Sequence, residues 1–192
     1  MAYLINRIEE SLKREGLTPR TNKARAWLQS KVKSLNPSRS RLMEDKSRLR
    51  DSSIVGNMYF YYYDPKTKDF MKYYDKFPLV IPIEEHADGF LGLNLHYIRP
   101  KQRLIFLDKL SETNSNYSYD ANTRLRVSYH YLKNTSRIFE HTPCLKKYLY
   151  KHIQSQFVQI DANEWDIAAL LPVENFAKAS KNQVFAESEE QF

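Results

Sequence analysis

The residues best suited to nucleophilic or metal chemistry are few in this sequence, and their spacing argues against both kinds of site. The five histidines form no HExxH motif or other close ligand pattern. The single cysteine, Cys144, excludes an intrachain disulfide and a site built from several cysteines. Its setting, TPCLKKYLYKH, predicts a buried thiol near the start of a helix; His141 is close, but nothing else supports a catalytic thiol. We therefore predict no metal, no cofactor and no catalytic residue.

Carboxylates and phosphate-binding motifs lead to the same expectation. Asp64, Asp69 and Asp75 fall around predicted hairpin turns, where aspartate forms local hydrogen bonds. Asn94 and His96 alternate along LNLHY, so they should project together from one face of a strand as a structural pair. No GxSxG, P-loop or GxGxxG motif occurs. A nuclease with a dispersed site remains an alternative, since acids distant in sequence can converge in a fold.

The excess of positive charge lies in the first quarter of the chain. The net charge is +7. Residues 1–50 hold 13 Lys/Arg against 5 Asp/Glu, a net charge of +8, whereas residues 51–192 hold 17 against 18, a net charge of −1. A near-neutral domain preceded by a basic segment indicates a polyanionic partner, nucleic acid above all. The alternative is a segment that is solvated or docks on an acidic protein.

Residues 36–53, NPSRSRLMEDKSRLRDSS, are typical of a linker because they are rich in Ser and Arg and poor in apolar residues. A flexible basic segment adapts to a phosphate backbone, and no base-reading motif is present, so DNA contact should be independent of base sequence. The predicted nucleic-acid contacts are Arg39, Arg41, Lys46, Arg48 and Arg50.

The aromatic run MYFYYYD, followed by a second tyrosine pair, admits two interpretations. Exposed tyrosines beside Lys66, Lys68, Lys72 and Lys76 would stack on unpaired bases. Tyrosine also suits a protein contact, since it combines a large area with a polar tip. We favour a protein contact because the domain as a whole is not basic. Together with the apolar stripe of the second helix, the predicted protein-interface residues are Trp27, Leu28, Tyr61, Tyr63 and Tyr74.

Periodicity and turn residues predict the elements that position these side chains. Helices are expected over residues 3–15, ended by Gly16, and over 21–35. Short strands separated by turns at 64–69 and 84–89 follow from Ile54. Helices are expected from Pro100, over 123–137 (where a strand also fits) and over 143–157, and strands return at 157–160 and 167–173.

The predicted fold class is α+β: a curled antiparallel sheet or small SH3-like β-barrel with a helical insertion, preceded by a helical basic N-terminal arm. We place the arm and linker at residues 1–53 and the mixed domain at 54–192. We expect the arm to extend away from the domain, with the Trp27 stripe docked on another chain or on the domain surface. Trp165 should anchor the sheet. The residues expected to be buried in it are Val80, Ile81, Leu93, Leu95 and Leu170.

Three strings, MYFYYYDPK, YYDKFPLVIPI and GFLGLNLHYI, resemble a family of virion proteins from large T-even-like contractile-tailed phages, the DNA-end protector or head-completion proteins. PCLKKYLYKHIQSQF and NEWDIAALLPVENFAKASKNQVFA extend the resemblance over roughly residues 55–187. The resemblance implies a virion component, made in the host cytoplasm and added late in head assembly, that shields packaged DNA ends from exonuclease. It implies no catalytic residues.

The main hypothesis is therefore a virion structural protein that binds or shields DNA ends. Its expected partners are double-stranded DNA, bound without sequence preference, and other virion proteins, with several copies in a symmetric assembly and no membrane contact. The alternative is a protein-binding component of the neck, tail or baseplate with no DNA contact. The basic segment favours the first hypothesis, and the neutral, tyrosine-rich domain favours the second.

Overall fold

The structure is a computed structural model and describes residues 4–18, 20–35, 37–114 and 144–189. The predicted element over 123–137 lies outside these ranges. Helices and strands are mixed, so the predicted α+β class is confirmed. The α-helices of the described ranges are α1 Leu4–Arg14, α2 Asn22–Leu35, α3 Arg39–Met43, α4 Pro100–Asn114, α5 Trp165–Leu170 and α6 Lys181–Glu189.

One six-stranded antiparallel sheet organises the fold. Its strands, in the order β1-β7-β2-β4-β5-β6, are β1 Leu49–Arg50, β7 Phe157–Ile160, β2 Met58–Phe60, β4 Leu79–His86, β5 Gly89–Asn94 and β6 Leu145–Leu149. A separate two-stranded sheet pairs β3 Tyr74–Asp75 with β8 Phe176–Ala177. The late strand β7 thus lies between two early strands, so both ends of the chain are needed to complete the sheet.

The sheet is curled but not closed into a barrel. Phe90 of β5 and Phe157 of β7 are three strand positions apart, which is roughly 14 Å in a flat sheet. Their ring centroids are nevertheless 6.2 Å apart, so the sheet curves around them. Among the described strands, no hydrogen bonds join the two edges β1 and β6, so the predicted SH3-like barrel is wrong and the curled sheet is confirmed. Gly92 permits the close packing inside the curve, since a Cβ there would lie 2.4 Å from Val80 Cγ1.

The two faces of the sheet carry different cores. The face toward the helices holds the large aliphatic core, which includes all the residues predicted to be buried except Val80. Trp165 packs in this core and donates its indole N–H to the carbonyl of Ile160 in β7 at 3.1 Å, so it anchors the sheet as predicted. The concave face holds a mainly aromatic cluster, and its rings cover one another in edge and stacked pairs. The members of this aromatic cluster are Tyr59, Tyr61, Tyr63, Val80, Phe90, Tyr148 and Phe157.

The N-terminal helices belong to this packing. The apolar stripe of α1, including Ile5, Ile8 and Leu12, is buried in the same core as the sheet, as are Ala24, Leu28 and Val32 of α2. Gly16, with φ of 64°, ends α1 as the sequence predicts. The expectation of an arm extended away from the domain is therefore wrong, because the apolar residues of α1 and α2 are buried within the same chain. The division at residue 53 itself stays a prediction.

Three further expectations are wrong for physical reasons. The predicted helix over 143–157 is instead β6 and a 3₁₀ turn, since pairing with β5 along its whole length outweighs a helical spacing of apolar residues. The predicted strand over 167–173 begins as α5, a fully buried run whose periodicity does not distinguish strand from helix. The predicted linker over 36–53 contains α3, a 3₁₀ turn and β1.

Candidate nucleic-acid interface

The five predicted phosphate contacts differ in what their side chains do, and Arg48 departs most from the expectation. Its guanidinium is only 11% exposed and donates to both carboxylate oxygens of Glu164, to Asp45 Oδ2 at 2.8 Å and to the amide oxygen of Asn6. Burial by itself lowers the pKa of Arg48, but the bonds to Glu164 and Asp45 outweigh burial and raise it. Arg48 ties the 3₁₀ turn to α1 and to the start of α5. Arg48 is therefore not counted among the residues proposed to contact phosphate.

The other four cations remain accessible to different degrees. Arg41 and Lys46 are exposed, and their side chains form no ion pair or hydrogen bond with the described residues. Arg50 is exposed and donates to Gln159 Oε1 at 3.0 Å and to nearby backbone carbonyls. Arg39 is half-buried and reaches the carbonyls of Val173 and Glu174 at 3.4 Å. A phosphate can therefore contact these four side chains, but not Arg48.

The residues predicted to form a protein interface lie mostly inside the molecule. Tyr61 is fully buried, the side-chain oxygen of Tyr63 accepts from the N–H of Leu149 at 3.2 Å, and Tyr74 is buried in β3. Leu28 is buried in the main core, and Trp27 packs against that core with the ammonium of Lys31 over its ring. The premise that these tyrosines are exposed is therefore wrong. The curl of the sheet buries Tyr61 and Tyr63 against one another, whereas Tyr74 is buried in the two-stranded sheet.

Asn94 and His96 meet at a buried carboxylate, so their predicted structural role is confirmed, but His96 lies in a 3₁₀ turn, Leu95–Tyr97, and not on the predicted strand. His96 Nδ1 lies 2.7 Å from Asp75 Oδ2, and Asn94 donates to the same oxygen and to the hydroxyl of Tyr148. Burial by itself raises the pKa of Asp75, but His96 and the hydrogen bonds from Asn94 and the Phe77 N–H outweigh it and lower the pKa. The cluster fixes the end of β5 against β3.

The part of the chain that the structure describes contains no group of three or more His, Cys, Asp or Glu side chains arranged to hold a metal ion. It also contains no helix long and apolar enough to cross a membrane. Cys144 is buried, as expected, although it precedes a strand rather than a helix.

Sequence reasoning missed a lysine-lined cavity at the mouth of the curled sheet. The cavity has a volume of about 190 Å³ and lies between the loop after Tyr63 and strand β6. Lys66, Lys146 and Lys147 line it together with Tyr63, Tyr74, Tyr97 and Tyr148. Asp75 is its acidic lining residue, but that carboxylate is buried against His96. The alternation of LKKYL, which places Lys146 and Tyr148 on one face of a strand, is the signal that would have revealed it.

Residues 2–189 match the family of the phage T4 terminal DNA protecting protein. This chain belongs to that family. The match spans nearly the whole sequence and so includes both the basic N-terminal segment and the sheet. Comparison with curated proteins and with solved structures finds no match.

Membership of the terminal DNA protecting family confirms the resemblance and the main functional hypothesis. The family consists of phage proteins that protect DNA ends and are not enzymes. It gives no support to a component of the neck, tail or baseplate. The buried Asp75 cluster and the scattered carboxylates therefore need no catalytic explanation.

Proposed function

We propose that this terminal DNA protecting protein holds duplex DNA through its phosphate backbone, using Arg39, Arg41, Lys46 and Arg50. The observation that carries the proposal is the separation of charge, +8 over residues 1–50 and −1 over the remainder. Arg41 and Lys46 retain exposed, unneutralised cations within that basic segment. Backbone contact of this kind is independent of base sequence and falls with salt, because each neutralised phosphate releases condensed counterions.

Salt-dependent binding to a linear duplex tests the proposal. Replacing Arg41, Lys46 and Arg50 with Ala should weaken binding equally on unrelated sequences. The slope of log K against log salt should become shallower by about 0.9 for each phosphate that the variant no longer neutralises. A matched variant with Lys76, Lys101 and Lys181 changed to Ala removes the same charge from exposed positions outside the segment. The proposal fails if both variants change the slope to the same extent.

Protection itself is measured by exonuclease digestion of a linear duplex at saturating protein. The intact protein should slow digestion, and the Arg41, Lys46 and Arg50 variant should lose protection at physiological salt. The same protein should leave nicking of a closed circle by an endonuclease unaffected, since a circle offers no end.

We also propose that the protein acts within the virion, in several copies, after synthesis in the host cytoplasm and addition late in head assembly. The family name supports an association with phage DNA ends. Localisation of a labelled protein in intact particles tests this proposal. Signal confined to the DNA end at the head exit would support it, and signal distributed along the tail or baseplate would contradict it.

A further inference from the structure

Phe70 is a large apolar side chain presented almost entirely to solvent. Its side chain is 95% exposed, compared with 59% for Ile54 and 49% for Ile105. One exposed apolar residue on a loosely held loop carries little meaning. Phe70 is different because the loop that presents it, residues 64–72, is held by many bonds.

Lys178, the residue that follows strand β8, holds this loop. Its ammonium donates to the carbonyls of Lys68, Asp69 and Met71 at 2.6, 3.1 and 3.2 Å. Lys178 adopts φ of 66°, a left-handed conformation that is unfavourable for a residue with a Cβ. The three hydrogen bonds that fix the loop are therefore made by a residue whose own backbone is strained.

Further bonds act on the loop from within and from α6. Lys68 pairs with Asp64 at 2.8 Å, and the N–H of Phe70 donates to the carbonyl of Thr67 at 3.0 Å. Lys72 pairs with Glu187 of α6 at 2.9 Å. The backbone that carries Phe70 is thus ordered before any partner arrives, so binding through this ring would cost little conformational entropy.

The loop and the hollows beside it carry both acidic and basic side chains, and most of the acids are already paired. Lys66 of the loop lines the cavity described above together with Lys146 and Lys147, and it also lines an adjoining hollow with Lys151. Lys147 pairs with Asp88 on the exposed surface, as Lys68 and Lys72 of the loop pair with their own acids. Among the described residues, Lys66 and Lys151 form no ion pair, and neither does the exposed carboxylate of Asp69. Burial lowers the pKa of Lys146, and an anion at the cavity would offset that cost. The loop therefore combines an aromatic face with cations, the combination that suits nucleic acid.

A duplex end differs chemically from a duplex interior in two respects. Its last base pair exposes a flat aromatic face, and its terminal phosphate is reached from more directions than an internal one. We propose that the loop of residues 64–72 recognises the duplex end: Phe70 stacks on the last base pair, and Lys66 and Lys146 meet phosphates near the terminus. This inference rests on the proposed function. The loop of residues 64–72 would distinguish a duplex end from the interior, and the contacts at Arg41, Lys46 and Arg50 would bind the backbone at either place.

A protein contact is the competing use of an exposed phenylalanine. Lys66 of the same loop and Lys146 of the cavity that it lines favour DNA, since phosphates are complementary to their charge.

The experiment compares the affinity of the full-length protein for a linear duplex and for a closed circle of the same sequence. Phe70→Ala and Phe70→Leu should each reduce the preference for the linear form about tenfold, with binding to the circle changed less than about twofold. Phe70→Tyr should keep the preference because it keeps the ring. Ile54→Ala, at another exposed apolar position, is the matched control and should behave as the natural protein. A 2-aminopurine base at the terminal position should be quenched by the natural protein, by Phe70→Tyr and by Ile54→Ala, but not by Phe70→Ala or Phe70→Leu.

Each other outcome has a definite meaning. If Phe70→Leu keeps the preference, the contact is not ring stacking and the inference is wrong. If Phe70→Ala binds both DNA forms normally but is missing from particles, the side chain contacts a protein and the inference is again wrong. If the natural protein does not prefer ends and gives no protection, the proposed function itself fails, which is distinguishable from failure at Phe70 alone. Far-UV circular dichroism confirms that each variant is folded.

Discussion

Arg48 and Glu164 form a bidentate ion pair, in which Nη2 lies 2.7 Å from Oε1 and Nη1 contacts the second carboxylate oxygen. Both side chains are nearly excluded from solvent. The pair connects the basic N-terminal segment to the turn before α5, although 116 positions separate the two residues. Arg48, which the basic composition of its segment predicts to be a DNA contact, thus stabilises the fold.

Arg48→Ala should lower the free energy of unfolding by about 3–5 kcal/mol, because it leaves the buried carboxylate of Glu164 without its partner. Urea denaturation monitored by circular dichroism measures the change. Arg41→Ala, at an exposed position, should shift stability by about 0.5 kcal/mol at most. Equal midpoints for the two variants would show that the ion pair is not important for stability.

Ile8→Ala should destabilise the whole domain by about 2–5 kcal/mol, since Ile8 is fully buried in the core shared by α1 and the sheet. Unfolding should remain a single transition when followed by tyrosine absorbance and by far-UV signal. Arg7→Ala, on the exposed side of the same helix, serves as the control. Loss of α1 alone, with the sheet still folded, would support a separate arm.

Tyr61→Phe and Tyr148→Phe remove hydroxyls from one aromatic cluster, and only Tyr148→Phe should lower stability. The hydroxyl of Tyr61 is buried without a hydrogen-bond partner in the described ranges, so its removal should be neutral or stabilising. The hydroxyl of Tyr148 accepts from Asn94 at 3.1 Å, so its removal should cost about 1 kcal/mol. Thermal unfolding of both variants decides the matter, and an equal loss of stability would contradict the assignment.

Stability should fall in acid through the carboxylate of Asp75. Because its pKa is lower in the folded state than its ordinary value of 3.8, its contribution is complete above that value and is lost as the pH falls through the lower folded pKa. The pKa of Glu174 is also lowered: burial opposes ionisation there, but His96 and Arg103 outweigh it. Asp75→Asn should therefore flatten the decline in urea midpoint measured from about pH 6 down to about pH 3. Glu10→Gln, at an exposed carboxylate, should leave the decline unchanged.

The sequence predicts those elements whose apolar pattern and end signals agree. Ile5, Ile8 and Leu12 recur at helical spacing before Gly16, and α1 follows that pattern. Val80 and Ile81, between two prolines, lie in β4 as expected. The run around Ala168 and Ala169 gives no such pattern, because a segment buried on every side has no polar face that would distinguish a helix from a strand.

The candidate site is less predictable than the fold. Burial of Tyr61 and Tyr63 depends on the curl of the sheet, which brings together strands far apart in sequence and is not encoded in local spacing. Composition assigns Arg48 to DNA because Glu164 is too distant along the chain to be recognised as its partner. Phe70 escapes notice because a single aromatic residue in a turn predicts nothing until the bonds of Lys178 show that its loop is fixed.

The insertion of β7 between β1 and β2 has a consequence for synthesis on the ribosome. Leu49 pairs with Val158 and Met58 pairs with Ile160, so the centre of the sheet lacks a strand until residue 160 has left the exit tunnel. Contacts this far apart in sequence form late and slow folding. The nascent chain therefore leaves the apolar stripe of α1 without its complete core until the sheet is finished. Chains interrupted before residue 157 cannot bury the stripe of α1 normally, and we expect them to be removed by proteolysis rather than to compete for DNA ends.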